Sequence, residues 1–175
     1  MLSLPEAAAH FLGYRYAVAS QDNRYPVARG CLPSGLVLQP GDQRRVDCST
    51  FITAVVCYME AERAWDQSAY ADMQIMDAAR LWSPLDAWER HGVGRAMAVG
   101  EMAPRWGIYQ SWVDDQAAAI DGDPISGGHQ WAYHGGLGVR IHSSSRGATG
   151  PTREHVAFGD LLKYYKAGVR GVEVA

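Results

Sequence analysis

The stretch RRVDCSTFITAVVCYM, residues 44 to 59, sets a cysteine directly behind an aspartate and directly ahead of an apolar run. Asp47 is a favoured N-cap residue, which puts Cys48 at the first helical position. There the unpaired N–H groups and the positive end of the helix dipole favour negative charge. A thiol so placed loses its proton more readily, and the thiolate is the form that attacks carbonyl carbon. The backbone N–H of Cys48 can also receive a developing oxyanion. Behind it Phe51, Ile52, Ala54, Val55, Val56, Tyr58 and Met59 make the helix apolar nearly all round. Such a helix is central and buried, and therefore a rigid mount for a reactive group. The competing account is a small buried hydrophobe that merely begins a helix, and so short a motif leaves both accounts open. Cys57 falls mid-helix among apolar residues and reads as core. Cys31 lies in a loop with no chemical partner nearby in sequence.

A cysteine nucleophile needs a base, and the base needs an orienting group. Of six histidines, His10 falls on a surface helix, His91 in the last turn of another and His155 among charged residues. Each has a structural or solvated role. His129, His134 and His142 lie on a predicted hairpin. With its turn centred on Gly136 and Leu137, Trp131 faces His142 and His129 faces Ser144. His129, Trp131 and Tyr133 then share a face by strand alternation. His142 joins that face diagonally to His129, within reach of long side chains. His134 points the other way as a polar strand residue. A register slip of one residue would reverse His142. The two histidines could instead hold a metal, but no third ligand stands at a suitable spacing.

The elements that must position these groups follow from pattern. LPEAAAHFLGYRY, residues 4 to 16, reads as a short helix with Leu4, Ala8, Phe11 and Leu12 on one side and Gly13 closing it. Residues 22 to 43 are rich in proline and glycine and read as a long loop, a length that hints at a binding role. Helices are expected from about Ser49 to Ala64, from Met73 to Leu81, and over SPLDAWERHG, where Ser83, Pro84, Asp86 and Gly92 supply start and stop signals. RWGIYQSWV, HQWAYH, VRIHSS and the tail VRGVEV read as strands, and a last helix runs from Phe158 to Lys166 with Gly168 beyond it. Helices come first and strands later, which argues an α+β fold.

Composition narrows the function. The 175 residues carry a formal net charge of −3 without a basic run, which excludes nucleic acid as a natural partner. A chain of this size is expected to form one domain over residues 1–175. Three cysteines without a CxxC pair give neither a zinc knuckle nor a disulfide scaffold. No secretory signal and no membrane span are expected, because Pro5, Glu6 and His10 interrupt the apolar start and no run approaches the length required. Six tryptophans and nine tyrosines are expected mostly to fill the core, some of them lining a cleft. Asp114, Asp115, Asp121 and Asp123 read as solvated loop charge, with calcium binding a distant alternative.

Taken together, these segments resemble the NlpC-like cell-wall peptidases, which are papain-like cysteine enzymes. DCSTF resembles their DCSGF nucleophile motif, GGHQWAYHG their GHVGIYxG base strand, and IHSSS their IHAS strand. AAAHFLGYRY resembles their A-x-x-x-L-G-x-x-Y opening. The resemblance implies a papain-like NlpC-type fold, with the nucleophile helix packed on a small antiparallel sheet. It makes Cys48 the nucleophile, His129 the base and His142 its orienting group, with Tyr16, Asp47, Ser49 and Trp131 on the substrate side. It implies hydrolysis of amide bonds in peptidoglycan stem peptides, without a metal or other cofactor. Thr50 stands where the family has glycine, Val18, Ala19 and Ser20 replace its WGG, and the 17–46 and 65–125 stretches are long; these bear on specificity. The same scaffold could serve acyl transfer or deamidation on another amide, or a non-catalytic assembly module in a phage tail or secretion machine. An enzyme of this kind reaching the wall by export without a signal, by phage delivery or by lysis would suit an inhibitory or immunity partner protein.

Overall fold

The computed structural model describes residues 2–16, 45–46, 48–59, 83–112, 128–144, 150–166 and 168–174. The described elements are α1 (Leu4–Ala9), β1 (Arg15–Tyr16), β2 (Arg45–Val46), α2 (Cys48–Met59), α3 (Ser83–Arg90), β3 (Gly94–Ala96), β4 (Trp106–Trp112), β5 (Gly128–His134), β6 (Val139–Ser144), β7 (Gly150–His155), α4 (Phe158–Tyr164) and β8 (Gly168–Val174). This is an α+β protein. The expected loop over 22–43, the helix over Met73 to Leu81, Cys31 and the acidic cluster from Asp114 to Asp123 lie outside the described residues. Two compact units divide the chain: residues 1–71 with 141–153, and residues 72–140 with 154–175.

In the first unit, α1 starts where the Glu6 carboxylate accepts hydrogen bonds from the backbone N–H of Ser3 at 2.8 Å and its hydroxyl at 2.6 Å. Ser3 and Glu6 stand in capping-box spacing, a start signal that the sequence reading passed over. The helix ends at Ala9, earlier than Gly13. From His10 to Leu12 each N–H reaches back three residues, to Ala7, Ala8 and Ala9 in turn. In that tighter winding residues three apart eclipse. Phe11 therefore stacks above buried Ala8 and is itself buried, whereas Leu12 stacks above exposed Ala9 and is 66 % exposed. This corrects the expectation that Leu12 shares the buried side. Phe11 meets Phe51 and Tyr58 of α2 edge-on at 6.0 and 5.2 Å, and His10 stacks on Tyr58 at 4.6 Å.

α2 begins at Cys48, and every residue from Phe51 to Met59 is buried, Thr53 included. The expected all-round apolar helix is present. β1 and β2 form a two-residue parallel ladder pairing Arg15 with Arg45 and Tyr16 with Val46.

The six longer strands run in the order β3-β8-β4-β5-β6-β7, and the β3–β8, β4–β8 and β4–β5 ladders are antiparallel. In the second unit α3 closes as its sequence requires. Gly92 sits at φ +70°, its N–H bonded to Glu89 and the Val93 N–H to Trp88, the paired bonds of a Schellman cap. The core of this unit gathers Met97, Ala103, Tyr109, Trp131, Tyr133, Phe158, Leu161, Tyr165 and Val169. Tyr109 is directly opposite Trp131 on β5 and Gly171 on β8. Its ring lies flat over the sheet because Gly107 and Gly171 leave room: a Cβ on either would come within 2.8 Å of that ring. It stacks on Trp131 at 4.5 Å with 15° between planes, and its hydroxyl accepts the Ala103 N–H at 2.8 Å. Burial pushes the Tyr109 hydroxyl pKa up to about 12, so this acceptor remains a neutral phenol across the physiological range.

Candidate active site

Cys48 is the first residue of α2, 7 % exposed, and carries a reduced thiol. Its helix supplies what the sequence called for, a terminus whose N–H groups have no intrahelical acceptor and a body buried from Phe51 to Met59. Tyr16 reaches this neighbourhood at the level of the backbone, because β1 pairs it with Val46, two positions before Cys48. Ser49 follows within the helix, and Asp47 lies outside the described residues. His142 is on β6 in the same unit, 5 % exposed, beside fully buried Ser143.

His129 and Trp131 belong to the second unit. His129 is the second residue of β5 and half-buried. Burial, and then the positive charge of Arg140, lower its imidazole pKa from 6.5 to about 3. At neutral pH the ring is therefore uncharged, with one nitrogen able to accept a proton. Trp131 is fully buried, stacked against Tyr109 and, at 6.0 Å, against Tyr165. Its Nε1–H donates to Ser111 Oγ at 2.7 Å.

His134 does more than occupy a strand position. Its Nδ1 accepts the Leu137 N–H at 3.1 Å, and its ring meets Trp106 edge-on at 5.2 Å. It thus pins the turn at residues 135–138 that leads from β5 into β6. The same turn is held from below by the Gly135 N–H on the Arg105 carbonyl and the Gly136 N–H on the Pro104 carbonyl.

No protein-family model matches this chain, and no curated protein matches it. Among the described residues no group of three His, Cys, Asp or Glu side chains gathers as a metal site requires, and no helix is long and apolar enough to cross a membrane.

The sequence reading missed the residues around His129. Ser111 faces it across the β4–β5 ladder and donates from Oγ to the His129 carbonyl at 3.1 Å. Tyr165 stacks beside its ring at 6.3 Å with 21° between planes. Arg140 reaches the Tyr165 hydroxyl at 3.2 Å. A signal for Arg140 was present: the two-residue strand period that assigns His142 to a face assigns Arg140 to the same one. Ser111 and Tyr165 carried no comparable signal, since their elements are adjacent only once folded.

Proposed function

We propose that this protein is a cysteine amide hydrolase of the papain-like, NlpC-like type, acting on the stem peptides of bacterial peptidoglycan. The observation that carries the reading is Cys48 at the first position of a helix buried from Phe51 to Met59, followed later in the chain by a β-strand bearing His129. The order of nucleophile helix, base strand and His142 strand is that of the resemblance drawn from the sequence, and the α+β architecture is compatible with it.

In this mechanism the Cys48 sulfur attacks the amide carbon and a C–S bond forms. His129 takes the thiol proton, and the carbonyl oxygen becomes an oxyanion received by the Cys48 backbone N–H. The C–N bond then breaks as His129 returns the proton to the leaving amine, giving a thioester. Water attacks that thioester, again with His129 as base, and the C–S bond breaks to release the carboxylate and restore the thiol. His142 orients the His129 ring. The resemblance would put Tyr16, Asp47 and Ser49 on the substrate side; fully buried Trp131 would support the strand that carries the base.

The test is digestion of purified peptidoglycan followed by mass analysis of the soluble products. Wild-type protein is expected to release peptide fragments whose masses show addition of one water per bond cut, and Cys48→Ala none above background. Equal release by the two proteins would refute the reading. Products lacking the added water and carrying a second amine would assign acyl transfer instead of hydrolysis.

A further inference from the structure

A single network runs from a half-exposed carboxylate to the main chain of His129, entirely within the second unit. Arg140 is its hub, with a side chain only 13 % exposed. Its Nε donates to Glu154 Oε1 at 2.6 Å, and a second guanidinium nitrogen also pairs with that oxygen. Another donates to the Tyr165 hydroxyl at 3.2 Å. That hydroxyl shares a hydrogen bond with Ser111, and Ser111 donates to the carbonyl of His129 while accepting from Trp131 Nε1. The Tyr165 ring, itself buried, lies alongside the His129 ring. The imidazole strand is thus held through its carbonyl and along one ring face.

We propose that Arg140 is a positioning residue for the His129 imidazole, acting through Tyr165 and Ser111, a role that rests on reading His129 as the base. Three features favour positioning over simple surface pairing. A guanidinium bridges two partners at fixed angles, which an ammonium cannot do. A mostly buried cation is costly unless every donor direction is used, and this one joins a carboxylate to a phenol. Its charge also opposes protonation of the nearby ring and so helps to keep the imidazole neutral. The charged and titratable groups gathered here are Arg140 on β6, Glu154 on β7 and Tyr165 after α4. Glu154 partly offsets the Arg140 charge, and burial raises the Tyr165 pKa, so that phenol stays neutral.

The experiment follows the His129 ring by NMR in the full chain with labelled histidine, for wild type, Arg140→Met and Tyr165→Phe, with amide hydrolysis measured alongside. Arg140→Met is expected to raise the His129 pKa by about one unit. Tyr165→Phe keeps the packed ring and deletes only the hydroxyl, so it guards against a variant that fails to fold. It is expected to leave ring packing in place but broaden the His129 ring signals. Both are expected to lower kcat by about tenfold at unchanged KM, with Arg140→Lys recovering the pKa but not the rate. An unmoved pKa and unchanged ring signals in both folded variants would overturn the inference. If wild type cuts no amide yet the ring still responds, the network stands and the proposed reaction falls. If wild type is active but neither variant alters kcat or the ring, the reaction stands and Arg140 has no part in it.

Discussion

His129→Asn is expected to lower kcat/KM for amide hydrolysis by about 10²–10⁴-fold, the usual contribution of a positioned acid–base group. Asparagine retains a polar side chain of similar reach but cannot shuttle a proton, so the loss should fall on kcat with KM little changed. The same substitution has a second consequence that does not depend on any activity. In the folded protein the imidazole pKa is lowered from 6.5 to about 3, whereas the unfolded chain protonates it near 6.5. Above pH 6.5 neither state binds the proton and this group costs nothing. As pH falls from about 6.5 to about 3 the unfolded state gains a proton that the folded state refuses, and stability drops by at most about 1.4 kcal/mol per pH unit. Below that window the loss is complete. Removing the ring removes this slope, so the variant should gain on wild type steadily as the solution is acidified. Urea denaturation of both proteins at pH 7, 5.5 and 4 reads the effect. A constant difference across the three would show that His129 titrates normally.

Trp131→Ala is expected to cost about 3–5 kcal/mol, the range for deleting a large aromatic side chain from a packed core. The ring is fully buried and is paired on its two sides with Tyr109 and Tyr165. It also meets Tyr133 edge-on at 6.2 Å and Phe158 at the same distance. Four aromatic neighbours, Tyr109 and Tyr133 on the sheet and Phe158 and Tyr165 on α4 and its end, cannot all collapse inward, so most of the void should persist. The substitution also deprives Ser111 of the indole donor, and through Ser111 it loosens the His129 carbonyl. Trp131→Phe restores much of the packing and should recover most of the stability. The comparison is made by denaturation, and a cost below about 1 kcal/mol for Trp131→Ala would mean that this cluster is not the core of its unit.

The parts of the fold that could be read from sequence are those written in local chemistry. α3 announces itself with Ser83, Pro84 and Asp86 at one end and Gly92 at the other, and it runs where those residues place it. α2 was legible because an unbroken apolar stretch behind Asp47 has few other uses, and Cys48 begins it. β4, β5, β6 and β8 were legible from aromatic and β-branched content. The misses have physical causes as well. β1 and β2 span two residues each, too short for any periodicity. β7, with the sequence GPTREH, carries a proline and three side chains that ionise, a poor strand by composition. Among the described residues it lies at the end of the strand order, an edge position where a proline or a charge does no harm. The early end of α1 follows from the tighter turn after Ala9, which local propensity does not encode. At the candidate site the histidines and the cysteine were visible as reactive types. Of their supports only Arg140 left a trace, through strand alternation with His142; Ser111, Glu154 and Tyr165 come from separate segments that only tertiary packing joins.

Whether Cys48 and His129 act as one unit is decided most directly by a double-variant cycle on peptidoglycan hydrolysis. kcat/KM is measured for wild type, Cys48→Ala, His129→Asn and the protein carrying both changes. Groups that serve a single proton-transfer and attack sequence lose most of their effect together. The expected result is that the double variant is no slower than Cys48→Ala alone. Losses that multiply, or activity that survives removal of the thiol, would contradict the account.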